Sequence, residues 1–277
     1  MREGDDEDED LFVPLYALRR DTPRDRRERE RERGMAERAG RAREQHRRQP
    51  GRPRGLSRAD IVAAAIKVAD ADGTEAVSMR RIAREMRVGA MSLYWYVSSK
   101  EELLQLMLEQ VQGEGEATEP SGDWRADLRA YARNIRAALL RHPWAIDFLG
   151  HGPPSGPNDA RNAERLLAVL DGLGLDYTTS MYAGMTVGTY VLGAALREVQ
   201  EIRWHQGVSE QTADWTKADY DEFLGEFGRR VRQSGQYPHL ARLLDEGIDP
   251  DAPGTRDERF EFGLDCVLDG IAARLRR

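Results

Sequence analysis

Apolar and polar positions recur along this chain with a helical period, and no segment shows the two-residue alternation of a strand. The periodic region opens at Ser57-x-x-Asp60, a capping-box pair, with Leu56 and Ile61 placed where a hydrophobic staple packs. Ile61, Ala65 and Val68 mark one face of a first helix, and Asp72-Gly73 stops it. Ser78 is placed to cap a second, short helix with Ile82, Ala83 and Met86 inward and Arg80, Arg81 and Arg84 around the outside. Arg87-Val88-Gly89 predicts a tight connection into a third helix over about 90–97, where Leu93 and Val97, four apart, share the buried face. Ser98 with Glu101 predicts the cap of a fourth helix running through Leu103, Leu104, Met107, Leu108 and Val111.

Past Val111, Gly113, Gly115, Pro120 and Gly122 punctuate a short linker. Helices are then predicted over 123–141, 158–173, 178–204, 220–232 and 258–275, with His142-Pro143 ending the first and a short helical segment over 144–149. Residues 150–157 read as a loop rich in glycine and proline. The uncharged stretch 177–196 is long enough to raise the question of a membrane span. Thr178, Thr179, Ser180, Thr186 and Thr189 interrupt it, and it reads as a buried helix instead. The expected fold class is all-α. A charged extension over 1–54 precedes a three-helix head with its connecting helix over 55–112, and a second helical domain fills 123–277.

Composition sharpens that division. The 277 residues are 40% hydrophobic and 33% charged, more polar than an average globular chain, which predicts that part of it is disordered. Residues 24–33 alternate Arg with Asp or Glu and have nothing to bury, so the disorder belongs to the extension. Met35 offers a second start, which leaves open whether residues 1–34 are translated. Seven acids among the first ten residues have the wrong sign for a signal peptide, and the expected location is cytoplasmic. The formal charge of -7 is uneven: residues 1–54 and 55–100 each carry +2, and residues 101–277 carry -11. An acidic body repels nucleic acid, so any polyanion contact is expected from the N-terminal part.

Two short helices joined by a tight turn on a longer supporting helix have the form of a helix-turn-helix, whose second helix enters the major groove of DNA. Ala90, Met91 and Ser92 are compact enough for base edges to approach, and Met91 suits a thymine methyl. Tyr94 and Lys100 offer a hydroxyl and a charge to phosphate oxygens, and Ser78 stands at a helix N-terminus that can hold another. Trp95 reads either as a thymine-methyl contact or as a core plug. Upstream, Pro50-Gly51-Arg52-Pro53-Arg54 suits a minor-groove arm carried by Arg52 and Arg54, or else a solvated charge run. No catalytic spacing surrounds His142, His205 or His239, and no phosphate-cradling glycine loop or zinc spacing occurs. Cys266, the single cysteine, excludes an intramolecular disulfide and reads as inert packing. Neither a cofactor nor a metal is expected.

Residues 56–100 resemble the DNA-binding domain of the tetracycline-repressor-like (TetR) regulators. The resemblance rests on Ile61-x-x-Ala64-Ala65, on Gly73-x-x-Ala76-Val77-Ser78-Met79-Arg80-Arg81-Ile82-Ala83, on Met91-Ser92-Leu93-Tyr94-Trp95-Tyr96-Val97 and on Lys100-x-x-Leu103-Leu104. It implies base reading by Arg80, Ala90, Met91, Ser92 and Trp95, and phosphate contacts by Ser78, Tyr94, Tyr96 and Lys100. Two departures stand out: Arg87 occupies the usual glycine of the turn, which predicts strain there, and Ala90 replaces a longer polar residue. A looser resemblance covers 123–201, with Met181-Tyr182-Ala183 and Val191-Leu192-Gly193-Ala194 as landmarks. It implies dimerisation through a four-helix bundle, for which Gly184, Gly188, Phe262, Leu268 and Ile271 are candidates; packing within one subunit is the other reading. It also implies a ligand cavity, for which Trp144, Phe148, His151, Met185 and Tyr190 are candidates. Leu166, Gly188 and Arg197 fall where the tetracycline subgroup uses polar or acidic groups, which argues for a more apolar ligand than tetracycline. The expected function is that of a homodimeric repressor released from a palindromic operator by a small molecule. The alternative is a DNA-binding protein of the same fold without such a switch, acting architecturally or through a protein partner.

Overall fold

The capping box expected at Ser57 is formed: its hydroxyl accepts from the Asp60 amide at 3.1 Å, and the Asp60 carboxylate accepts from the Ser57 amide at 3.0 Å. The Ser57 hydroxyl and amide together hold the Asp60 carboxyl below its usual range. Helix α1, Arg58–Asp72, starts there and stops at Gly73, whose φ of 78° is one that side chains rarely adopt. These assignments come from a computed structural model that describes residues 56–115, 119–149, 156–205, 217–247 and 253–275. Arg52, Arg54 and His151 lie outside the described residues. No strand occurs among those described.

The head is built on α1. Ile61, Val62, Ala65, Ile66, Val68 and Ala69 are all buried against α2 (Met79–Glu85) and α4 (Lys100–Gln112). Each valine or isoleucine side chain so buried contributes roughly 1.5–3 kcal/mol. Helix α3, Ala90–Leu93, spans four residues and ends short of the expected Val97. The chain nevertheless keeps turning, because the amides of Tyr96 and Val97 both donate to the Leu93 carbonyl. Leu93 and Val97 therefore both reach full burial, as their spacing required. The cap of α4 also differs from expectation by one residue. Ser99, not Ser98, accepts from the helix, taking the Glu102 amide at 3.1 Å. Glu102 then reaches back to the Ser98 amide, at 2.6 Å, and to the Arg58 guanidinium, at 2.9 Å. One carboxylate thus ties the end of the recognition turn to α1 and α4 together.

Contacts divide the described chain after Thr189, inside the long helix α7 (Tyr177–His205). In the first unit, α5 (Trp124–Arg141) is capped by Asp123 and followed by a 3-10 turn, Pro143–Phe148. Helix α6, Pro157–Leu170, packs on both α4 and α5. It ends at Leu170 rather than Leu173, because Asp171 is extended and Gly172 and Gly174 adopt positive φ. Leu166 of α6 lies directly over Gly184 of α7, so a methyl group at position 184 has no room.

In the second unit, Val191, Ala195 and Val199 of α7 and Phe260, Leu264, Leu268 and Ile271 of α10 (Arg256–Leu275) are buried. The Tyr190 hydroxyl donates to the Phe260 carbonyl at 2.7 Å, its ring closing over Gly263. Glu201 accepts from Arg259 at 2.6 Å and lies 3.5 Å from Arg256. Helices α8 (Lys217–Ser234) and α9 (Pro238–Asp245) form a hairpin, joined by an Arg232–Asp245 ion pair. Helix α9 went unpredicted, although Pro238 at its first turn and Leu240, Leu243 and Leu244 at helical spacing were its signal.

Candidate nucleic-acid interface

Helix α2 ends in a Schellman motif. The Arg87 amide donates to the Arg84 carbonyl at 3.1 Å, and the Val88 amide donates to the Ala83 carbonyl at 2.9 Å. That pattern requires a left-handed residue between them, and Arg87 supplies it with a φ of 55°, the one non-glycine positive φ among the described residues. The strain expected at the turn is thus located on one residue. The motif brings the chain sharply round to Gly89, from which α3 starts.

On α3 one turn serves two environments. Leu93 is fully buried, while Met91 is 45% exposed and Ala90 and Ser92 are half-buried, so the three small or flexible side chains form an open front. Arg80, Arg84 and Arg87 are exposed around it. Arg81 is spent within the head, paired with Glu85 at 2.7 Å and with Asp72 at 2.9 Å. Ser78 is exposed and its hydroxyl accepts from the Arg81 amide at 3.2 Å. Lys100, Trp95 and Tyr96 are half-buried, and Tyr94 is buried. Exposed cations beside an open one-turn ridge have the sign and shape that a polyanion's groove requires.

Behind this front lies a polar junction that sequence reading passed over. His142, expected to end α5 ahead of Pro143 and not to be catalytic, is 4% exposed and bridges two carboxylates. Its Nδ1 lies 2.8 Å from Asp70 of α1, and its Nε2 lies 3.0 Å from Glu114, just beyond α4. Arg141 pairs with the same Glu114 oxygen at 2.6 Å. The signal available in the sequence was His142 before Pro143, a polar group where α5 must end against the head.

Farther along α4, Glu109 caps the start of α6. Its carboxylate accepts from the Asn158 amide at 2.6 Å, and the Asn158 side chain donates to the Glu109 carbonyl at 2.9 Å. Burial pushes the Glu109 carboxyl above its usual range, and Gly156 leaves the carboxylate its space.

Of the candidate ligand residues, Trp144, Phe148 and Met185 belong to the first unit. Trp144 is buried, with its indole N–H donating to Asp70 at 2.8 Å, and it meets Phe148 edge-on at 6.4 Å. Met185, on α7, is 60% exposed. Tyr190 belongs to the second unit and is engaged with Phe260. Of the candidate dimer residues, Phe262 is 72% exposed and Gly188 has open space beside it. Leu268 and Ile271 are buried within the chain, and Gly184 is covered by Leu166. No described helix is long and apolar enough to cross a membrane, and no group of three or more metal-ligating side chains occurs among the described residues.

Comparison with known proteins bears on the whole arrangement. Residues 61–107 match the model of bacterial regulatory proteins of the tetR family, and residues 116–275 match that of the tetracyclin repressor-like C-terminal domain. The chain is 37% identical over 213 residues to the HTH-type transcriptional repressor DrrR1 of Streptomyces coeruleorubidus, covering 76% of this chain and 75% of the relative. It is 27% identical over 224 residues to the class E tetracycline repressor protein of Escherichia coli, covering 79% and 92%. Among solved structures, ActR of Streptomyces coelicolor in complex with actinorhodin superposes with a TM-score of 0.61 at 29% identity, covering 80% of this chain and 99% of ActR.

Proposed function

The chain belongs to the tetR family of bacterial regulatory proteins, and on that premise we propose that it is a homodimeric repressor released from a palindromic operator by a small molecule. The family consists of DNA-binding transcription regulators, not of enzymes. The observation that carries the reading is the open front of α3, where exposed Met91 stands between half-buried Ala90 and Ser92 over a fully buried Leu93. In this reading Ala90, Met91, Ser92 and Trp95 meet base edges with Arg80, while Ser78, Tyr94, Tyr96 and Lys100 hold phosphates. The small side chain of Ala90 makes no bidentate base contact, so discrimination falls mainly on Arg80 and on apolar contacts.

A single head of this size reads too few base pairs for a regulator, and a two-fold dimer doubles them at fixed spacing. Exposed Phe262 on α10 and exposed Leu196 on α7 give the second unit apolar surface for such a dimer. Ligand control is supported by the likeness to ActR, solved with actinorhodin, and such molecules are the first to test. Selection from random duplexes with the full chain is expected to recover an inverted repeat, and a matching ligand is expected to abolish binding saturably. Recovery of no preferred sequence refutes the reading, while binding untouched by any ligand favours a regulator without the switch.

A further inference from the structure

The junction around His142 has a chemical constraint that its neighbours impose. Carboxylates only accept hydrogen bonds, and a neutral imidazole has a single N–H. His142 faces Asp70 with one ring nitrogen and Glu114 with the other, so only the doubly protonated ring donates to both. The remaining groups suit that form. The Trp144 indole donates to the Asp70 oxygen that His142 also meets, and the Arg141 guanidinium donates to the Glu114 oxygen on the other side. The charged groups facing the ring are therefore Asp70 from α1 and Glu114 beyond α4, with Arg141 of α5 behind Glu114. The ring itself is buried, while the Asp70 and Glu114 side chains stay 31% and 27% exposed.

The place matters as much as the chemistry. Asp70 belongs to the last turn of α1, the helix on which α2 and its recognition turn are built. Glu114 follows the end of α4, and His142 follows α5. The ring thus joins the DNA-reading head to the helices behind it, in the same unit of the chain. We propose that His142 is a positioning residue for operator binding: its doubly protonated ring latches the head to the helices behind it, and loss of one ring proton loosens the latch and weakens operator affinity. The proposal rests on the reading of the chain as an operator-binding regulator. With one proton gone, a bare nitrogen lone pair faces a carboxylate, and one side of the bridge must part. Freed from its fixed angle, the head pays an ordering cost when the dimer seats on both half-sites.

The test follows operator affinity of the full chain by fluorescence anisotropy from about pH 6 to about 9 at fixed ionic strength, together with the His142 ring protons by nitrogen-proton NMR on the free protein. Affinity is expected to fall about tenfold as pH rises, with the same midpoint as the ring's loss of a proton. His142→Gln, whose amide has one donating and one accepting end, is expected to bind weakly and without that transition. Glu114→Gln is expected to do the opposite and keep its affinity at alkaline pH, because its amide can donate to the bare nitrogen of the neutral ring. A His142→Gln profile that overlays the parent's overturns the latch. If that variant does not fold, a Glu114→Gln profile identical to the parent's overturns it instead. A parent that selects no operator refutes the function, and the NMR then decides the latch alone: a ring with one proton at every pH overturns it.

Discussion

Replacing Arg87 by glycine is expected to make the protein more stable and a weaker DNA binder at once. The position is the left-handed residue of the Schellman turn, with a φ of 55°. A non-glycine residue in that conformation costs roughly 1–2 kcal/mol. Glycine removes this strain, but its unfolded chain is more flexible by about 0.5–1 kcal/mol. The net gain for Arg87→Gly is then about 0–1.5 kcal/mol, or up to about 6 °C in Tm for a chain of this size. The guanidinium is exposed beside the recognition turn, so its loss is expected to remove one phosphate contact per subunit. For a dimer, that lowers the slope of log affinity against log salt by about 2. Thermal melts give the first quantity and anisotropy across a salt series gives the second. Arg87→Ala separates them, because it keeps the strained backbone and loses the charge: the slope falls without any gain in Tm. An Arg87→Gly protein less stable than its parent refutes the strain argument, and an unchanged salt slope removes Arg87 from the interface.

Met91→Ala is expected to alter preference at one position in each half-site, whereas Lys100→Ala weakens binding to all sequences and lowers the salt slope; binding selections on both variants check this. Gly184→Ala drives a methyl group into Leu166 and is expected to cost about 1–3 kcal/mol in urea melts. The Glu109 carboxyl is raised by burial, so the folded state holds its proton more tightly than the unfolded state does. Stability is therefore expected to fall as pH climbs from the ordinary glutamate range through the raised value, and Glu109→Gln flattens that slope in pH-dependent melts. Phe262→Glu places a charge on the exposed face of α10 and is expected to give monomers in sedimentation, with operator affinity lost alongside.

The head was legible because its signals are local. Ser57-x-x-Asp60, Gly73 and the Leu93–Val97 spacing each act within about one helical turn, and each is realised in the structure. The third helix stops early because the Tyr96 amide donates to the Leu93 carbonyl only three positions back, whereas at Ser98 a different contact intervenes. Glu102 takes the Ser98 amide and Arg58 together, and Arg58 lies 44 positions away, where periodicity carries no information. The site behind the front was less legible for the same reason. His142 acquires its meaning from Asp70 and Glu114, which sit 72 and 28 positions away. The exposure of Met185 was equally out of reach, since an apolar residue on a long helix reads the same whether it faces its own core or water.

The split personality of α3 has a consequence for how such a regulator changes its target. Leu93 anchors the turn in the interior, and Met91, two positions earlier, keeps 45% of its surface exposed. Substitutions at the front therefore cost the fold little, and surface changes of this kind usually stay within about 0.5 kcal/mol. New addresses on the chromosome can be tried one side chain at a time by a scaffold that never has to relearn how to fold.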